Sequence, residues 1–227
     1  MSLEKSKIIP QFKINTLNIS LSTIWLFHLS GIIGILYLNS SWFVSVTPLI
    51  LTINFILLVL NSWKTKNFLK ILILSFSLGF ISELLGVNYG LIFGNYSYGE
   101  LMGYKFFGVP ILIGTNWTIL LVCSASIAKE FSEKFWLKFF FGIGLMLLLD
   151  LLIEPIAPIL DYWKFEGGIP TFKNYIGWFV VSFPLHFFFH YWKVNINSYF
   201  TYHLFLLQLL FFMILLLKIN DLKIIDL

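Results

Sequence analysis

The chain contains no arginine, one cysteine and few charges of either sign; Lys, Arg, Asp and Glu together make up 11% of its 227 residues. A soluble domain carries about 25% charged residues, so these residues cannot build an ordinary water-exposed surface. All 15 basic residues are lysines. They fall between apolar runs and not along one face, which removes the electrostatic footprint of a nucleic-acid binder. The lone Cys123 excludes an internal disulfide, and its place in an apolar run reads as a small buried side chain. No paired Asp-rich motif is present to hold a magnesium diphosphate, so prenyl transfer is unsupported. No dinucleotide fingerprint follows a plausible strand, so nicotinamide or flavin redox chemistry is unsupported. Gly86, Gly90, Gly94 and Gly99 lie in a tyrosine-rich loop and read as tight backbone turns. Of the four histidines, His186 and His190 are one helical turn apart and His203 lies in the next apolar run. That is too few for a histidine-rich di-iron centre, so packing or a hydrogen bond to a neighbouring helix is expected and no metal site is assigned.

What the chain has instead is hydrocarbon. Apolar residues make up 59% of it, and the mean hydropathy is +0.88. Runs of about 20 apolar residues, the length that crosses a bilayer, recur throughout. The expected fold is therefore all-α: one polytopic transmembrane domain covering residues 1–227, with about seven helices. The runs lie near 21–38, 42–60, 68–87, 109–128, 135–153 and 199–217, with residues 178–192 at the centre of the sixth in chain order, and Pro48 is placed to kink the second. Residues 1–18 form a polar, lysine-bearing start with no small-residue cleavage site, so the first run is expected to be retained as a span.

Lysines near span ends set orientation. With the N-terminus inside, Lys5, Lys7, Lys13, Lys64, Lys66, Lys70, Lys129, Lys134, Lys138 and Lys193 face the cytoplasm, and Lys105, Lys164, Lys173, Lys218 and Lys223 face away. The expectation is a multi-pass protein of the cytoplasmic membrane, N-terminus in and C-terminus out. The two long connections, about 86–108 and 154–174, then share the non-cytoplasmic side. They are rich in glycine, aromatics and asparagine, and connections this long in a compact bundle usually carry function. They read as caps over one mouth of the bundle.

Three acids point to the same place. Glu83 sits inside the third apolar run, and an intramembrane carboxylate costs a few kcal/mol even on lenient insertion scales. Asp150 and Glu154 are four residues apart at the end of the fifth run, a spacing that stacks them on one helix face. Pro155 and Pro158 follow, and Pro155 is expected to push residue 154 out of helical geometry. Like charges crowded in low dielectric cannot all ionise, so at least one carboxyl is expected to stay a neutral acid able to protonate a weak base such as an olefin. Tyr89, Phe93, Tyr96, Tyr98, Trp117, Trp163 and Trp178 supply π faces for a developing carbocation. Asn88, Asn95, Asn116 and Asn174 are placed to hold water. Spacing alone also permits a plainer reading, in which these are interface acids within the aromatic belt of any membrane protein.

Taken in order, several motifs resemble one family. They are Glu83-Leu-Leu-Gly-Val-Asn-Tyr-Gly-Leu-Ile-Phe-Gly-Asn-Tyr-Ser-Tyr98, Gly108-Val-Pro110 with Trp117, Asp150-Leu-Leu-Ile-Glu-Pro155, and Trp163, Gly167, Gly168, Ile169-Pro170, Asn174 and Gly177-Trp178. Together they cover about residues 80–180. They resemble the carotenoid biosynthesis membrane proteins that include the carotenoid 1',2'-hydratases and bisanhydrobacterioruberin hydratase. The resemblance implies addition of water to the terminal double bond of an acyclic carotenoid ψ-end, through a tertiary cation, with no cofactor or metal. Its implied partners are a C40 or longer polyene, the lipid bilayer and other membrane enzymes of the same pathway. In that chemistry Asp150 or Glu83 is expected to donate the proton and Glu154 to orient or deprotonate water. Two alternatives stay open. One is a lycopene-type cyclase using the same acid; the other is a non-catalytic carotenoid or lipid transporter or assembly partner, although no internal repeat favours a transporter.

Overall fold

The computed structural model describes residues 15–219. Lys5, Lys7, Lys13 and Lys223 of the orientation argument lie outside them. Among the described residues the helices are α1 (Thr16–Tyr37), α2 (Ser40–Ser45), α3 (Thr47–Ser62), α4 (Phe68–Tyr89), α5 (Leu112–Phe131), α6 (Phe135–Ile153), α7 (Phe172–Tyr191) and α8 (Ser198–Leu217). Asparagines open three of them. The side chains of Asn15, Asn39 and Asn197 accept from the backbone N–H of Asn18, Trp42 and Tyr199 and so satisfy a donor that the helix start leaves unpaired. Helix α4 stops where Gly90 turns to φ +61°, a left-handed cap that glycine adopts without steric cost.

Five helices, α1, α4, α5, α6 and α8, are long and apolar enough to cross a membrane. Helix α3 is apolar but has only 16 residues, and the 20-residue α7 carries Pro184 inside it. The chain is a mostly helical, multi-pass membrane protein. Large apolar side chains such as Leu26, Ile33, Ile73, Phe140 and Leu151 point outward, as lipid-facing positions do.

Some boundaries differ from those the apolar runs predict. The second run is broken into α2 and α3, and Pro48 sits in the first turn of α3, where its missing N–H costs nothing, so it starts a helix and kinks none. Helix α5 begins at Leu112 because Val109–Pro110 (β3) pair with Lys105–Phe106 (β2) in a small hairpin. Helix α7 extends the sixth span from its expected centre back to Phe172.

Helix α5 is the hub. It packs on α3, α4, α6, α7 and α8, and every residue from Ile113 to Ala128 except Asn116 is buried. Its small residues (Gly114, Thr115, Thr118, Ser124, Ala125 and Ser126) let neighbouring backbones come close on all sides, the means by which helices associate in lipid. Cys123 is one of these buried small side chains.

The two long connections meet each other. Tyr96–Tyr98 (β1) and Trp163–Phe165 (β4) form a two-stranded antiparallel sheet with Tyr96 opposite Phe165 and Tyr98 opposite Trp163. Residues two apart on a strand share a face, so two tyrosines, a tryptophan and a phenylalanine are presented together at the ends of α4 and α6. This short sheet is an addition to the all-helical architecture.

Candidate active site

Glu83, in the last two turns of α4, is buried, with 5% of its surface exposed. Three donors converge on it: Tyr96 Oη at 2.5 Å and Tyr98 Oη at 2.7 Å on Oε2, and Trp117 Nε1 at 2.9 Å on Oε1. Strand β1 supplies the tyrosines, and α5 supplies the tryptophan. Burial and the adjacent Glu83 both push the Tyr96 and Tyr98 phenols above their usual range, so they remain O–H donors. Two glycines make the approach possible. A Cβ on Gly79 would lie 2.3 Å from Trp117 Cγ, and one on Gly86 would lie 2.6 Å from Tyr96 Oη. Gly86 is therefore helical and cut back for close packing and forms no turn. Gly90 and Gly94 do take positive φ, as turn positions do, whereas Gly99 is extended.

Asp150 and Glu154 lie one turn apart on one face, as their spacing predicts. The geometry of residue 154 corrects the expectation based on Pro155: Glu154 keeps helical dihedrals, φ −51° and ψ −45°. Its N–H bonds the Asp150 carbonyl at 2.9 Å, and its side chain is held by two tertiary donors. These are Trp163 Nε1 at 3.2 Å on Oε2 and Asn174 Nδ2 at 2.9 Å on Oε1. Asn174 Nδ2 also reaches Asp150 Oδ2 at 3.2 Å, so one amide bridges the two carboxyls. Asp150 Oδ1 meets no donor among the described residues. Burial pushes the Glu154 carboxyl up to about 7, against hydrogen bonds from Trp163, Asp150 and Asn174 that hold it down.

Glu83 and Glu154 face one cavity of about 20 Å³, room for about one water molecule. Phe93, Tyr96, Tyr98, Ile113, Asn116, Trp117, Trp163, Phe165, Asn174 and Trp178 complete its wall. Trp117 and Trp178 are stacked at 4.3 Å between ring centroids, and Phe93 sits 6.1 Å from Trp117. Asp150 is not part of the wall; it backs Glu154 from behind. The acids sit at one mouth of the bundle beneath the paired loops, surrounded by aromatic faces.

Three of the residues selected from the sequence stand elsewhere. Asn88 is exposed and bonds the backbone carbonyls of Leu84 and Phe107, so it clips the β2–β3 hairpin to α4. Tyr89 is 72% exposed. Asn95 bonds Glu166 at 2.9 Å across the two loops, outside the cavity. Conversely, Phe165 and Ile113 belong to the wall and had not been singled out. Phe165 was discoverable, because it follows Trp163 by two residues and so shares its face. His186 bonds Ser124 of α5 at 3.3 Å and also lies 3.3 Å from Met146 Sδ. His203 accepts from Trp25 of α1 at 3.1 Å, so both histidines tie helices together.

The family model described as carotenoid biosynthesis protein matches residues 43–224, which include every element that builds this site. The chain belongs to that family. No curated protein and no solved structure matches it. The matched region also takes in α3 and α8, which hold none of the three acids.

Proposed function

We propose that this carotenoid biosynthesis protein is a hydratase that adds water across the terminal C=C of an acyclic carotenoid ψ-end. The observation that carries the reading is the Asp150–Glu154 pair. Two buried carboxyls share one amide donor, and the outer one borders a water-sized cavity walled by stacked indoles. Glu83 was an equal candidate for proton donor on the sequence, but its oxygens already accept from three donors, so it serves better as the negative group facing a cation. Asp150 was the other candidate, and it stands one layer behind. Glu154 therefore takes the donor role, with a proton affinity matched to neutral pH.

The proton of Glu154 passes to the less substituted carbon of the terminal bond and leaves a tertiary cation. Trp117, Trp178 and Phe93 face that charge with their π clouds. A water attacks the cation through its oxygen, and the proton it releases returns to the Glu154 carboxylate. Alkene plus water gives a tertiary alcohol, and the protein ends as it began. Asp150 and Asn174 act through Glu154 as positioning residues. A solvent-open pocket lined by Asn95, Lys164 and Glu166 shares Tyr96 and Phe165 with the cavity wall, and this is the side from which the proposal brings water in. On this reading α3 and α7 join the five long apolar helices in crossing the cytoplasmic membrane, N-terminus inside and both caps outside, with the polyene lying along the bilayer. Other membrane enzymes of the pathway would hand over the substrate.

Expression in a host that accumulates an acyclic carotenoid tests this. A product one water heavier is the expected result. An isomer of unchanged mass would identify a cyclase that quenches the same cation by ring closure. No change in any acyclic carotenoid would refute the catalytic reading and favour a carrier or assembly role.

A further inference from the structure

A second, larger cavity opens beside the acids and nothing in the chemistry above uses it. It measures about 120 Å³ and lies between α1, α3, α5 and α8. Ile113, Asn116 and Trp163 line both cavities, so the two adjoin. Its wall is mostly hydrocarbon, including Ile35, Leu51, Leu120, Ile153, Phe211 and Phe212.

Three polar side chains interrupt that wall, each from a different helix: His28 of α1, Asn54 of α3 and Gln208 of α8. All three are more than nine-tenths buried. Each lies about two turns or more from the ends of its helix, in the part of the bundle where polar groups are least favourable. Asn54 and Gln208 make no side-chain hydrogen bond among the described residues, and their amide oxygens Oδ1 and Oε1 are buried without a donor. His28 Nδ1 lies 2.7 Å from the Ile24 carbonyl, which can only accept. The ring proton is therefore on Nδ1, and Nε2 of the neutral ring is left as an acceptor with no partner in the described residues. A saturated or polyene chain offers no donor to any of these groups. The occupant of such a cavity must bring a hydrogen-bond donor together with carbon, and in an isoprenoid that donor is an O–H.

We propose that this cavity is a second binding subsite, in which an isoprenoid chain lies against the apolar wall while His28, Asn54 and Gln208 bind an O–H donor. The chain portion rests on the carotenoid reading; the O–H portion rests on the three unpartnered acceptors alone. The O–H comes either from a hydroxyl on the isoprenoid or from water held beside a hydrocarbon chain. Both satisfy the same acceptors.

The test uses the purified full chain in lipid nanodiscs, with geraniol and its hydroxyl-free analogue myrcene as probes, and compares wild type with Asn54→Leu and Gln208→Leu. Replacing an unpaired buried amide by an apolar group of similar shape should not impair folding, and retained thermal stability checks this. A ligand hydroxyl predicts about tenfold tighter binding of geraniol than of myrcene, a preference lost in both variants. Bound water predicts equal binding of the two probes. It also predicts that hydroxyl-radical footprinting labels Met102, a buried residue on the cavity wall, in wild type and not in Asn54→Leu. Equal binding with no labelling of Met102 would overturn the subsite. Conversion of an acyclic carotenoid is measured in the same preparations, so loss of the subsite and loss of the hydratase reading are seen separately.

Discussion

Replacing Asn174 by leucine isolates the role assigned to Glu154. Asn174 Nδ2 is the one donor shared by both carboxyls, at 2.9 Å from Glu154 and 3.2 Å from Asp150. Leucine fills nearly the same volume and donates nothing. A hydrogen bond to a charged group contributes about 1.5–3 kcal/mol, and Asn174 favours the ionised form of Glu154. Its loss should move the Glu154 titration upward from about 7 by about 1–2 pH units. With Glu154 as proton donor, turnover needs the protonated form. The wild-type rate should then fall as pH rises through neutrality, and Asn174→Leu should carry this falling limb to higher pH. The assay is hydration of an acyclic carotenoid in proteoliposomes between pH 5 and pH 9, read by mass spectrometry and corrected for inserted protein. A limb that stays put, or shifts downward, would show that Glu154 is not the titrating acid. A rate that instead rises through neutrality would make Glu154 the base.

Glu154 also links stability to pH. Its folded-state value lies above the ordinary 4.5, at about 7, so the folded state holds the proton more tightly than the unfolded one. The resulting stabilisation is complete below about pH 4.5 and is lost as pH rises to about 7. Melting temperature in detergent should fall across that window, and Glu154→Gln should flatten the curve. The same Glu154→Gln variant should leave the protein inserted while product falls by about 10²–10⁴-fold, the usual weight of an acid–base group, with smaller losses in Asp150→Asn and Glu83→Gln; full activity in all three, scored by pigment mass spectrometry, would remove the acids from the mechanism. Trp178→Leu takes away half of the indole stack and should cost about 0.5–2 kcal/mol of cation stabilisation, seen in kcat with KM little changed. Gly79→Ala forces Trp117 away from Glu83, because the new Cβ would sit 2.3 Å from its ring. About 1–3 kcal/mol of stability should be lost, as thermal unfolding would show.

Much of this molecule is set by patterns that act within a turn or two of chain. Apolar runs of bilayer length become helices because lipid leaves the backbone no other partner. For the same local reason Asp150 and Glu154 share a face, and a buried Glu83 announced itself by standing in hydrocarbon. What local pattern could not decide is which distant groups would answer those acids. Tyr96 and Tyr98 reach Glu83 because Tyr-Ser-Tyr pairs with Trp-Lys-Phe in the other loop, and Asn174 bridges two carboxyls because α7 docks on α6. Asn88 and Asn95 looked equally suited to a polar site, yet both are occupied in clipping loops. Which of the paired acids reaches the cavity was also decided by packing, which puts Glu154 at its wall and leaves Asp150 out of it. The His28, Asn54 and Gln208 set was invisible in the sequence, since each residue is a lone polar side chain on its own apolar helix. Only the assembled bundle turns them toward one space, because contacts between separate helices depend on how the whole chain closes and not on any spacing along it.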